Sequence, residues 1–150
     1  MRELDASSNY LSQNPNRMAH FGLGTGQVVD EVRAEWVSGD ATLVENVDAD
    51  QLIVLPDPTA DISSRRVDIG EPITAAAANG SSGAGVLKWI IEAQEYEDPV
   101  TYSFDEHGAK ELRLNRYDGD GETLLYSELY RIRVVNPDNR VSGSLWMGLE

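Results

Sequence analysis

Asp118, Asp120 and Glu122 stand at alternate positions in the Gly-rich stretch Asp118-Gly119-Asp120-Gly121-Glu122. Calcium is held by several such carboxylate oxygens, and glycines let a loop curl around the ion. The full EF-hand spacing is absent, and an ordinary Asp-Gly hairpin turn uses the same residues. The three are therefore candidate calcium ligands beside a simpler reading as a turn. Tyr96 and Tyr117 fall near loops and Trp146 lies close to the C-terminus; exposed aromatic rings of this kind stack on the apolar faces of sugars. Trp36 and Trp89 sit on the inward faces of strand patterns and read as core.

Other patterns do not assemble a reaction centre. Gly22-x-Gly24-x-Gly26 lacks the spacing of a dinucleotide loop and no helical pattern follows it. The two histidines, His20 and His107, belong to neither an H-E-x-x-H nor a G-x-S-x-G motif. His107 lies in the turn Glu106-His107-Gly108 and reads as solvated. The pairs Glu95/Glu97 and Asp105/Glu106 have the residue types of a glycosidase, but with 26 acidic side chains proximity by chance is expected. There is no cysteine, which removes thiolate nucleophiles, disulfides and Cys-based metal sites. No catalytic residue is assigned, and the chain is expected not to be an enzyme.

The elements that would carry these residues are β-strands. Val32, Ala34 and Trp36 alternate with Glu31, Arg33 and Glu35, the pattern of a half-buried strand. Ser38-Gly39-Asp40 turns the chain, and Thr42-Leu43-Val44 and Leu52-Ile53-Val54-Leu55 read as further strands. Pro56-Asp57-Pro58 ends the last, since proline cannot donate to a ladder. Thr59 to Ser64 reads as a linker. Beyond it come the pair Val67/Ile69, the series Ile73/Ala75/Ala77, Leu87/Trp89/Ile91/Ala93 and Val100/Tyr102/Phe104, the pair Leu112/Leu114, and finally Tyr130/Ile132/Val134. Short strands punctuated by turns at this density predict a β-sandwich. The fold class is all-β: a small β-sheet module over residues 1–58 and an immunoglobulin-like β-sandwich over 65–136, with 137–150 as a tail or the start of a further module.

Composition narrows the partners. Hydrophobic residues make up 41% of 150, enough for a packed core. Net charge is -14; residues 1–60 carry 10 acidic and 3 basic groups and residues 61–150 carry 16 and 9, so the acid is spread along the chain. Such a surface repels phosphate backbones and anionic headgroups, which argues against nucleic acid and membrane surfaces. No apolar run approaches the ~20 residues of a membrane span, so membrane insertion is not expected. Met1-Arg2-Glu3-Leu4-Asp5 has no apolar signal region, so an export signal is expected upstream.

One stretch is distinctive. It comprises Asn9-Tyr10-Leu11-Ser12-Gln13, His20-Phe21-Gly22-Leu23-Gly24, Val29-Asp30-Glu31-Val32-Arg33-Ala34-Glu35-Trp36-Val37-Ser38-Gly39, Asn46-Val47 and Gln51-Leu52-Ile53-Val54. Residues 1–56 thereby resemble the ASPIC/UnbV module of exported FG-GAP repeat proteins, whose pattern is YLSQ, HFGLG, VD-V-V-WPSG and NV…Q-L. Val37 stands where that pattern has proline. Only Arg2 to Ala6 precede Tyr10, so the module's first strand is expected to be missing, leaving an edge open to pairing with another copy. Residues 65–136 are more loosely similar to PKD-like or cadherin-like domains, through Trp89 and the strand pattern; the W-x-F-G-D-G hallmark is replaced by Trp89-Ile90-Ile91-Glu92.

These resemblances imply an extracellular, cell-surface or periplasmic interaction, adhesion or spacer module with a protein or glycan partner. The alternative is a carbohydrate-binding module, calcium-stabilised through Asp118, Asp120 and Glu122 and stacking sugars on Tyr96, Tyr117 and Trp146. No other cofactor is expected.

Overall fold

The computed structural model describes residues 21–78 and 85–139. Alternation of apolar and polar residues builds ten strands there: β1 (Val28–Glu35), β2 (Ala41–Asp48), β3 (Asp61–Ile62), β4 (Arg66–Asp68), β5 (Pro72–Ala76), β6 (Leu87–Ile91), β7 (Gln94–Glu97), β8 (Val100–Ser103), β9 (Gly108–Tyr117) and β10 (Leu124–Val135). Among the described residues a single 3-10 turn, Pro137–Asn139, begins at the proline that stands just past the last ladder.

The strands form two sheets. The larger has the order β1-β2-β10-β9-β6-β7, with β4 also on β10; the smaller has the order β3-β5-β8. All pairings are antiparallel except β4 with β10. β10 runs for 12 residues, long enough for two neighbours on one edge. Ser127–Leu129 pair with β2, and Arg133–Val135 pair with β4. The small sheet facing β6, β9 and β10 has the arrangement of an immunoglobulin-type sandwich.

The core lies between the sheets. Ile73 and Ala75 from the small sheet meet Trp89, Ile91, Leu112, Leu114, Tyr130 and Ile132 from the large one. Phe104, just past β8, closes one end and is buried. The Trp89 and Tyr130 ring centroids are 5.8 Å apart, and the Trp89 indole N–H donates to Asp98 Oδ1 at 2.9 Å, which satisfies a polar handle that burial would otherwise orphan. A separate small cluster, Ala41, Leu43 and Leu129, is buried where β2 meets β10.

Two local expectations change. Leu52 to Leu55 form no strand, and Leu52 and Val54 are 72% and 83% exposed. Both edges of β2 are already taken, by β1 and β10, and Asp50 turns the chain away with a φ of 57°. The segment expected as a linker, Thr59–Ser64, is tied down: Asp61 and Ile62 pair with Ala76 and Ala75, and Ser63 N–H donates to Thr74 O at 2.9 Å. The β2–β10 ladder carries the large sheet across the expected division between residues 58 and 65.

Candidate functional site

Register decides where the candidate residues go. Tyr96 pairs with Trp89 across β6–β7, so it shares the core-facing side and packs edge-on against Tyr102, with centroids 5.6 Å apart. Tyr117 follows Arg116 at the end of β9; its hydroxyl accepts from Asn115 Nδ2 at 3.3 Å, on the opposite, outer face. The sheet therefore separates the two tyrosines rather than aligning them as a platform, and both are half-buried. Trp146 and His20 lie outside the described residues.

Asp118, Asp120 and Glu122 share the β9–β10 turn. Asp118 Oδ1 accepts from the backbone N–H of Gly121 at 3.1 Å and of Thr123 at 3.2 Å, while Asp120 Oδ1 accepts from Glu122 N–H at 3.0 Å. A hydrogen bond with Asp120, with those from Thr123 and Glu122 behind it, holds Asp118 below the usual carboxylate range. Two of the three carboxylates thus close their own turn. Among the described residues no group of three or more His, Asp or Glu is placed to hold a metal ion.

A polar seam joins the β1–β2 hairpin to the sandwich. Trp36 Nε1–H donates to Thr42 Oγ1 at 3.1 Å, and the Thr42 hydroxyl donates to Pro56 O at 2.6 Å. Asp40 accepts both guanidinium N–H groups of Arg65 at 2.9 Å, a bidentate pair, and Arg65 lies 5.0 Å from the Tyr130 ring centroid. Deeper in, Glu128 is 1% exposed. It accepts from Arg116 Nε–H at 2.5 Å, from Thr59 N–H at 3.1 Å and from the Tyr130 hydroxyl. Ala60 N–H donates to the Tyr130 hydroxyl at 2.7 Å. Burial first, and the bond to Glu128 second, raise the Tyr130 hydroxyl well above an ordinary phenol.

Past the seam, β4, β10 and the start of β9 line an open groove of about 630 Å3. Arg65, Arg66, Arg131, Arg133 and His107 supply its polar wall. Val67 and Val134 point into the core, so their neighbours Arg66 and Arg133 point out, and these two are direct partners in the parallel ladder. Chemically the groove offers guanidinium donors and positive charge on a chain that is otherwise strongly acidic. These arginines come from distant strands and form no local motif, so no stretch of the sequence marks them as a group.

The segment that supplies β1, β2, Asp40 and the seam's Pro56, Thr59 and Ala60 is the one with a known counterpart. Residues 1–62 match the family model described as ASPIC and UnbV. The match ends where β3 ends, so the ASPIC and UnbV segment includes the strand that enters the small sheet. No curated protein matches the chain.

Proposed function

We propose that the chain is a non-catalytic interaction and spacer module of a larger exported protein carrying FG-GAP repeats. The ASPIC and UnbV match supports the association with such repeats. The observation that carries the spacer role is the β2–β10 ladder reinforced by the seam: the Asp40–Arg65 fork and the Glu128 contacts to Thr59, Arg116 and Tyr130 tie the matched segment to the sandwich at several points. A unit fastened in this way transmits orientation instead of swivelling, because a domain joined only by a linker moves relative to its neighbour by default.

The chain has no cysteine, so two introduced ones can carry spin labels without competition. Val37→Cys at the hairpin turn and Glu95→Cys on β7 span the large sheet from one edge to the other. The expected result is one narrow distance distribution by double electron–electron resonance; a broad or two-peaked distribution removes the spacer role. Flanking coding sequence provides a second check. FG-GAP repeats together with an export signal are expected there, and a cytosolic enzyme domain in their place would sink the assignment to an exported protein.

A further inference from the structure

In a chain with 26 acidic side chains, a basic side chain meets a carboxylate almost by default. Nine Lys and Arg residues fall among the described ones. Arg33, Arg65, Lys88, Lys110, Arg113, Arg116 and Arg131 each lie within 4.0 Å of a carboxylate oxygen. Arg66 and Arg133 do not, and they are ladder partners on β4 and β10. Like charges directly opposite on paired strands repel. With carboxylates abundant elsewhere on the surface, two adjacent arginines left in this state define a local positive site at the wall of the groove.

The geometry points to a binding site for a small divalent oxyanion, of the phosphate or sulfate class, between the guanidinium groups of Arg66 and Arg133. Two features argue for this class. Guanidinium forks match oxygens in pairs, and a dianion neutralises both charges where a single carboxylate leaves one over. Arg131, two residues from Arg133 on the same face, and His107 extend the donor set along the groove.

Size follows from the surroundings. Glu35 holds Arg131 at 3.2 Å, Glu111 is the ladder partner of Arg131, and Asp68 shares the outer face of β4 with Arg66. These carboxylates border the site, and the net charge of -14 surrounds them. A long polyanion would lay its further charges over this acidic surface, whereas a single ester group or free anion would not. The inference goes beyond the spacer role and does not depend on the parent protein being exported.

The test uses the full chain and inorganic anions as probes. Sodium sulfate and sodium phosphate are titrated at pH 7.5, with sodium chloride at matched ionic strength, and backbone and Arg Nε resonances are followed by NMR. Saturable shifts are expected at Arg66, Arg133 and His107–Ala109 with either divalent anion and not with chloride. Arg66→Gln and Arg133→Gln should each weaken binding about tenfold, the loss of one charge-assisted contact, while Arg33→Gln on the hairpin should leave it unchanged. The relative affinity for phosphate and sulfate then separates the two sources. Folding is read independently: both arginines are exposed, so in chloride neither variant should lose Tm, and the extra Tm that sulfate confers on the unaltered chain should shrink in both. Equal response to chloride, undiminished binding in both variants, or binding of heparin but neither free anion would overturn the proposal.

Discussion

Single residues show how local strain is held in place. The β6–β7 hairpin turns on Glu92 and Ala93, with φ of 48° and 65°, the left-handed pair that a two-residue type I′ turn demands and that glycine or asparagine usually fills. Glu92 is held there by the Tyr102 hydroxyl at 2.8 Å and Lys110 Nζ at 2.7 Å, and the same bonds, Lys110 first, lower its carboxyl below the ordinary value. The Tyr102 hydroxyl is pushed up to about 12, chiefly by the bond it donates to Glu92. Ala93, expected inward in series with Leu87, Trp89 and Ile91, is instead exposed in this turn, because the strand ends at Ile91, and it has no such compensation. Ala93→Gly should therefore raise stability by about 0.5–1 kcal/mol, the relief of the left-handed strain less the added freedom of the unfolded chain. Urea unfolding measures this, and a midpoint below that of the unaltered chain would show the turn is not strained. Gly85 presents the converse. As the end of Asn79-Gly80-Ser81-Ser82-Gly83-Ala84-Gly85 it reads as loop punctuation, yet a Cβ there would meet Tyr117 O at 2.2 Å. Its role is close approach of two backbones, which only the fold reveals.

Elements are joined by the seam, and its energetics rest on Glu128. Taken alone, the position is an acid in an apolar strand, Leu124-Leu125-Tyr126-Ser127-Glu128-Leu129-Tyr130, and alternation places it inward beside Tyr130. A carboxylate there is costly unless its oxygens are matched, and Arg116, Thr59 and Tyr130 match them. Glu128→Ala leaves the Arg116 charge buried without that partner and should cost about 3 kcal/mol, at the lower end for a broken buried pair. Because Thr59 N–H loses its acceptor as well, amide exchange should rise from Thr59 to Ile62 more than in β6 or β9. Unfolding by urea and hydrogen exchange report on the two effects. Stability within a few tenths of a kcal/mol of the unaltered chain would mean the seam contributes nothing.

At the scale of the whole molecule, charge is the dominant unsatisfied quantity. Most described ion pairs are exposed, such as Arg33–Glu35 and Arg131–Glu35, and such pairs contribute little. The excess negative charge opposes the compact state. Shortening the Debye length from about 10 Å at 0.1 M to about 3 Å at 1 M should therefore stabilise the fold. The expected outcome is a higher Tm in 1 M sodium chloride than in 0.1 M; a lower one would mean that the ion pairs outweigh the repulsion.

The strands themselves were legible in the sequence wherever a side chain alternated against water: Val32/Ala34, Trp89/Ile91, Leu112/Leu114 and Tyr130/Ile132/Val134 all lie in strands on the less exposed face, whereas Trp36, read as core, falls one residue past β1 and is half-buried. The ASPIC/UnbV resemblance of residues 1–56 was legible too, through its motifs, and the family model matches residues 1–62. The continuous apolar run Leu52–Leu55 misled, because without alternation a run does not state which edge it would pair with. Pairing partners and register belong to the tertiary structure alone. They put Tyr96 and Tyr117 on opposite faces, turned the expected linker into β3 and the seam, and set Arg66 beside Arg133. A strand's own pattern determines which way each residue faces; its neighbours are set by closing the sheets around one core, a long-range choice that no local stretch of sequence contains.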